Sequence, residues 1–132
     1  MSFQTKYDAV SATSVIDFTG DSQKFVNLDS TGRVNLMPDA VTKSFGVLEN
    51  EPNATGMPAT VSYLGITKVR VDATAYAVGT YLKPAYHAVA SLNGLGTLCA
   101  MDSTREMSLA RAITLEAADG TTNSIVAVRL IN

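Results

Sequence analysis

The run Phe45-Gly46-Val47-Leu48-Glu49-Asn50-Glu51-Pro52 leads through a loop at Gly56 into Ala59-Thr60-Val61-Ser62-Tyr63-Leu64-Gly65-Ile66-Thr67-Lys68-Val69-Arg70-Val71, and this stretch decides the fold. Val47 and Leu48 form a short strand of the buried type. Glu49 to Pro58 holds two prolines, two asparagines and a glycine, which makes it a loop. In the long strand that follows, Ala59, Val61 and Tyr63 share one face. The apolar phase then moves to Leu64 and Ile66 and returns at Val69 and Val71. Side chains alternate faces with a period of two, so the change of phase predicts a bulge or bend, with Gly65 its natural place. Strands that bend in mid-course belong to small barrels and sandwiches whose sheets curl.

The flanking sequence extends the β pattern. Val26 and Leu28 alternate with polar residues, Asp29-Ser30-Thr31-Gly32 supplies turn chemistry, and Val34 and Leu36 alternate again, which predicts a hairpin ended by Pro38. Leu109–Glu116 and Ile125–Ile131 flank Ala118-Asp119-Gly120-Thr121-Thr122 as a second hairpin. The final strand is apolar at nearly every position, as when both faces are covered. Residues 72–78 fit either one helical turn or a wide loop, and Tyr81-Leu82 forms a short strand ended by Pro84. Residues 85–108 favour strands, with a helix over Asp102–Ala112 as the alternative. Residues 1–22 are polar and rich in small side chains, and read as an extended N-terminal arm that orders on what it touches. The predicted architecture is all-β: a single small β-barrel or sandwich-like domain over residues 23–132, with the arm before it.

Composition narrows the function classes. A chain of 132 residues fits one domain and can bury a core without metal or disulfide staples. Only 17% of residues are charged, below the usual quarter, which suits equally a surface partly covered by a partner and a thinly charged monomer. The net charge is −2 and the ten basic residues are scattered, so the clustered basic stripe of a nucleic-acid binder is missing and no direct nucleic-acid partner is expected. The apolar runs fall well short of the ~18–20 residues of a membrane span, and the N-terminus lacks a signal peptide's apolar run, so no membrane partner and no export are expected.

The chemistry-bearing residues form no recognisable constellation. His87 is the only histidine and Cys99 the only cysteine, so neither a disulfide nor a converging zinc set is available from soft ligands. A Cys99–His87 nucleophile–base pair has no supporting spacing, and Cys99 lies in an apolar run where a buried inert thiol is the usual outcome. Glu49 and Glu51 point the same way in extended chain, but paired carboxylates need a cleft before they can do acid–base work. Leu92-Asn93-Gly94-Leu95-Gly96 has neither the third glycine nor the Lys-Ser/Thr of a phosphate cradle. No catalytic, cofactor-binding or metal-ligating residue is assigned, and no cofactor is expected.

The order of several short segments resembles a known family. Lys24-Phe25-Val26-Asn27-Leu28-Asp29, Gly32-Arg33-Val34, Gly46-Val47-Leu48-Glu49-Asn50-Glu51-Pro52, Gly56, Ala59-Thr60-Val61 and Gly65-Ile66-Thr67-Lys68-Val69 follow one another as in the small capsid decoration (cement) proteins of tailed bacteriophages. Val78-Gly79-Thr80-Tyr81-Leu82, Ala110-Arg111-Ala112 with Glu116-Ala117, and Ile125-Val126-Ala127-Val128-Arg129-Leu130 continue the pattern, which covers about residue 22 to the end. Residues 85–108 and the arm fall outside it. The resemblance implies a non-enzymatic virion protein, made in the host cytoplasm, that docks on the capsid exterior and bridges major capsid proteins. It also implies a homo-oligomer, a trimer first and a dimer second. A head-fibre base or tail component is the alternative, and a small hydrolase the least favoured. The capsid-contact residues expected from flexibility and exposure are Phe3, Tyr7, Val15 and Phe18 of the arm, with Glu49, Asn50, Glu51, Pro52 and Asn53 of the loop.

Overall fold

The computed structural model describes residues 6–131. Its elements, in chain order, are β1 (Lys6–Thr13), β2 (Phe25–Leu28), β3 (Val34–Asn35), β4 (Gly46–Leu48), β5 (Pro58–Val71), β6 (Ala75–Tyr76), β7 (Tyr81–Pro84), β8 (Gly96–Leu98), α1 (Thr104–Leu109), β9 (Ala112–Thr114), β10 (Ala118–Asp119) and β11 (Ser124–Leu130). The fold is all-β, and β5 is its spine. At about 3.3 Å per residue this 14-residue strand spans roughly 45 Å, enough to serve two sheets in succession.

The C-terminal half of β5 closes a five-stranded barrel. β11 pairs with β5 and β9, β9 with β7, β7 with β8, and β8 returns to β5 through the parallel pair Val71↔Gly96. The barrel is filled by Val69, Val71, Leu82, Ala112, Val126 and Val128, all buried. Gly96 is glycine because a Cβ there would press on Val69, Leu82 and Val71 at 3.1–3.3 Å. β6 and β10 form a separate two-stranded ribbon.

The N-terminal half of β5 carries a second layer. β1 lies antiparallel along one edge, β4 along the other, and β2 and β3 extend the sheet beyond β4. Its core contains Phe18, Val26, Val34, Leu48, Ala59 and Val61. Between the two halves Asp8 pairs with Leu64 but Ala9 with Ser62, so Tyr63 is the extra residue of a bulge, and Gly65 takes φ +97° just beyond it. The distortion expected at Gly65 is present within two residues. It does not carry Leu64 into the core: Leu64 is 42% exposed and Ile66 half-buried.

Several expectations need correcting. The described part of residues 1–22 is integrated into the domain: β1 pairs along its whole length with β5, and the Ser14 N–H donates to the Met57 carbonyl at 2.9 Å. The 24–36 hairpin forms as expected, with Gly32 at φ +79°. The second hairpin forms between β9 and β11, yet Ala118-Asp119 pairs with Ala75-Tyr76 instead of simply turning. Residues 72–78 contain β6, and the helical alternative at 102–112 is realised as α1, capped by the Ser103 hydroxyl accepting from the Glu106 N–H.

One side chain closes the seam between the layers. β4 pairs with β5 at Val61 and Ser62, and β11 takes over the same edge from Gly65. The Arg111 guanidinium fills the gap, donating to the carbonyls of Ser44 (3.1 Å), Phe45 (2.8 Å), Tyr63 (2.6 Å) and Ile131 (2.5 Å). Carbonyls stranded where one strand hands over to another would be costly to bury, and the planar fork satisfies four of them at once. Arg111 is 3% exposed, and burial lowers its pKa.

Candidate interaction surface

The Glu49–Asn53 segment is a clamp built from its polar side chains. One carboxylate oxygen of Glu49 accepts from the Ser62 and Thr67 hydroxyls, and the other from the Gln23 amide at 3.2 Å. Asn50 bonds β5 twice, donating to the Pro58 carbonyl at 3.0 Å and accepting from the Thr60 N–H at 2.9 Å. Glu51 accepts from the Gly20 N–H and the Ser22 hydroxyl, each at 3.0 Å, and these bonds hold its carboxyl below the ordinary glutamate range. The Pro52 carbonyl accepts from the Phe18 N–H at 2.7 Å. The two glutamates therefore stitch residues 18–23 to the barrel spine, and no paired-carboxylate site is formed.

This geometry sorts the contact residues expected from the sequence. Phe18, 1% exposed, and Pro52, also buried, are core residues and present no surface to a partner. Phe18 looked like part of a loose arm because the Pro52 and Glu51 bonds that fix it come from more than thirty residues away. Val15 is half-buried, its carbonyl accepting from Thr55 Oγ1 at 2.9 Å, and Glu49 is half-buried with its carboxylate engaged. Asn50, Glu51 and Asn53 are exposed. Tyr7 lies in β1 with its backbone opposite Gly65, and Phe3 lies outside the described residues.

A different loop carries the more conspicuous surface. Tyr86 to Leu92 are seven consecutive exposed residues, with Tyr86 at 45%, Val89 at 53% and Leu92 at 37%. From Pro84 to Met101 the sequence contains no Asp, Glu, Lys or Arg. The loop is nevertheless rigidly mounted. Its neck is closed by the Ala85 N–H donating to the Leu95 carbonyl and the Gly94 N–H donating to the Ala85 carbonyl, both at 2.8 Å. Inside the neck the buried Asn93 amide donates to the carbonyls of Met37 and His87 and accepts from the Met37 N–H, all at 3.0 Å. Lys24, 3% exposed and ion-paired with Asp21 at 2.6 Å, donates to the Ser91 carbonyl at 2.8 Å. Gly94 has φ +85°, and a Cβ there would lie 2.3 Å from the Phe25 carbonyl oxygen, so only glycine lets the neck approach β2 so closely.

Such a loop pairs exposed apolar side chains with a fixed backbone, which lowers the ordering cost of binding a protein surface. The strands that residues 85–108 favour in sequence form only at Gly96–Leu98, and Tyr86–Leu92 is a loop instead. The absence of charge between Lys83 and Asp102 was the available signal.

The remaining titratable candidates have structural roles. Cys99 is buried and donates its thiol to the Glu106 carbonyl at 3.1 Å, and burial pushes its pKa up, the reverse of nucleophile activation. His87 sits on the exposed loop, its Nδ1 accepting from the Val89 N–H at 3.1 Å. Among the described residues no three His, Cys, Asp or Glu side chains gather as a metal site, and no helix is long and apolar enough to cross a membrane. No protein-family model matches the chain, and no curated protein matches its sequence.

Proposed function

We propose that this protein is a structural component of a tailed-phage virion that docks on the outer surface of the capsid and bridges neighbouring major capsid proteins. The observation that carries the docking half of this reading is the Tyr86–Leu92 loop: seven exposed residues, free of full charge, on a backbone pinned by Asn93 and Lys24. The identity of the partner rests on the ordered segments from Lys24 to Leu130 that resemble decoration proteins. The physics of the role fits the fold. A stiff β scaffold presents a preformed apolar loop, and a modest affinity per contact is multiplied when many copies engage one lattice. Self-association, as a trimer or a dimer, would strengthen the bridge in the same way.

The test is reconstitution. Purified protein added to expanded shells that lack it should bind near the copy number of the major capsid protein and raise the temperature at which the shells open. Failure to bind would refute the reading. A stoichiometry of only a few copies per particle would replace it with a head-fibre or tail role.

A further inference from the structure

We infer that the Tyr86–Leu92 loop docks only while His87 is uncharged, so that protonation of this one imidazole releases the protein from its partner surface. The inference names a regulation of the loop proposed above as the docking surface, and it rests on that reading.

The His87 ring is a fixed part of the apolar tip. Its Nδ1 accepts from the Val89 N–H at 3.1 Å, and its carbonyl accepts from the buried Asn93 amide at 3.0 Å. The ring is thereby folded back along the turn that presents Val89, which at 53% is the most exposed of the loop's large apolar side chains. A partner surface that covers Val89 covers the imidazole with it.

An accepting nitrogen needs its lone pair, so the bond to Val89 exists only in the neutral ring, with the proton on Nε2. Protonation of Nδ1 sets two donors against each other. It also puts a full charge into a segment that has no Asp, Glu, Lys or Arg from Pro84 to Met101. In the free protein both changes are cheap, because the loop is exposed and water satisfies the N–H and the cation alike. In a closed apolar contact neither keeps its water, and an unpaired cation is the more costly of the two. The penalty therefore falls on the bound state, and docking and protonation oppose each other.

The surroundings offer the imidazolium no counter-charge. Behind the loop, Lys24 donates to the Ser91 carbonyl, and its ammonium is already paired with Asp21 at 2.6 Å. β2, against which Gly94 packs, carries no charged residue. The segment that follows Met37 contains Asp39, whose carboxylate accepts from the Val41 and Thr42 N–H groups of its own turn, and Lys43, which lies towards Arg111. Tyr86 is the one other titratable side chain of the loop. Among the described residues the ion pairs are Lys24–Asp21, Arg33–Asp29 and Lys83–Glu106, and His87 belongs to none of them.

The experiment measures binding of the full chain to expanded phage shells at about pH 7.5 and about pH 5.5, for native, His87→Asn and His87→Lys. Asparagine keeps an acceptor for the Val89 N–H, as in an Asx turn, but does not titrate, so it corrects for any response of the shell itself. Histidine changes charge between about pH 5 and 8, so the native affinity should fall about tenfold relative to that of His87→Asn over this interval. His87→Lys carries its charge throughout and should bind weakly at both pH values. Both variants should melt as native does, since His87 is exposed. Nuclear magnetic resonance of the ring nitrogens in the free native protein should show the proton on Nε2 at neutral pH. A native affinity that is equal at the two pH values or higher at the lower one would overturn the inference. So would a fall in His87→Asn that matches native, native-like binding by His87→Lys, or a proton on Nδ1 in the neutral ring. These results leave the docking reading in place, whereas native protein that binds at neither pH refutes that reading and the inference with it.

Discussion

Replacing Arg111 tests how the two layers are joined. In Arg111→Ala the carbonyls of Ser44, Phe45, Tyr63 and Ile131 lose their donors at a site where the native side chain is 3% exposed. A buried carbonyl left without a partner costs about 1–3 kcal/mol, and water entering the vacated space keeps each near the lower end, so the four together come to about 4 kcal/mol. Unfolding entropy is about 2.1 cal/mol/K per residue near 60 °C, or roughly 0.28 kcal/mol/K for 132 residues. Tm should therefore fall by about 14 °C on that scale. Arg111→Met separates hydrogen bonding from volume. A buried charge can often be exchanged for an apolar side chain without loss, but here the acceptors are backbone groups that remain in place, so methionine should cost nearly as much as alanine. Arg111→Lys, with a single ammonium and no fork, should fall between native and alanine. Calorimetry, with urea unfolding as a second probe, reads all three. If Arg111→Ala melts within about 3 °C of native, or Arg111→Met matches native, the carbonyls are satisfied otherwise and the seam account is wrong.

Two further outcomes follow from the same geometry. Gly46→Ala would put a Cβ 2.0 Å from the Ser62 carbonyl oxygen, so β4 must move off β5. A loss of about 2–3 kcal/mol is expected by urea unfolding, and an unchanged midpoint would contradict the pairing. The carboxyls of Asp29, Asp39, Glu51 and Asp119 are held below their ordinary values by hydrogen bonds, so the unfolded chain takes up protons first as pH falls. Their contribution is full at neutral pH and is lost as pH falls below the ordinary values of 4.5 for glutamate and 3.8 for aspartate. Thermal melts from pH 6 downward should show that decline, with a shallower slope in Glu51→Gln; identical slopes would remove Glu51 from the acid-sensitive set.

The parts of the fold legible in the sequence are those where local pattern and tertiary role agree. Val26, Leu28 and Val34 alternate around a turn that needs Gly32, and the hairpin forms. The β5 irregularity was legible because a period-two strand cannot shift its apolar phase without one. β1 was not: Ala9, Ser11 and Ala12 have little strand character, and the ladder to β5 is what makes the segment a strand. The Tyr86–Leu92 loop was hidden for a related reason, since what orders it is the Asn93 amide reaching Met37, 56 residues away in sequence. Glu49 and Glu51 looked available for a partner because their acceptors' donors, from Gly20 to Thr67, are remote along the chain.

The proposed docking role of the Tyr86–Leu92 loop is measured most directly by comparing native protein with Tyr86→Asp/Val89→Asp for binding to expanded phage shells. Both side chains are exposed, so the double variant should fold and melt as native does. Its affinity for the shell should fall at least about tenfold, equivalent to about 1.4 kcal/mol, because two carboxylates would have to be desolvated in an apolar contact. A folded double variant that binds the shell as tightly as native would contradict the account.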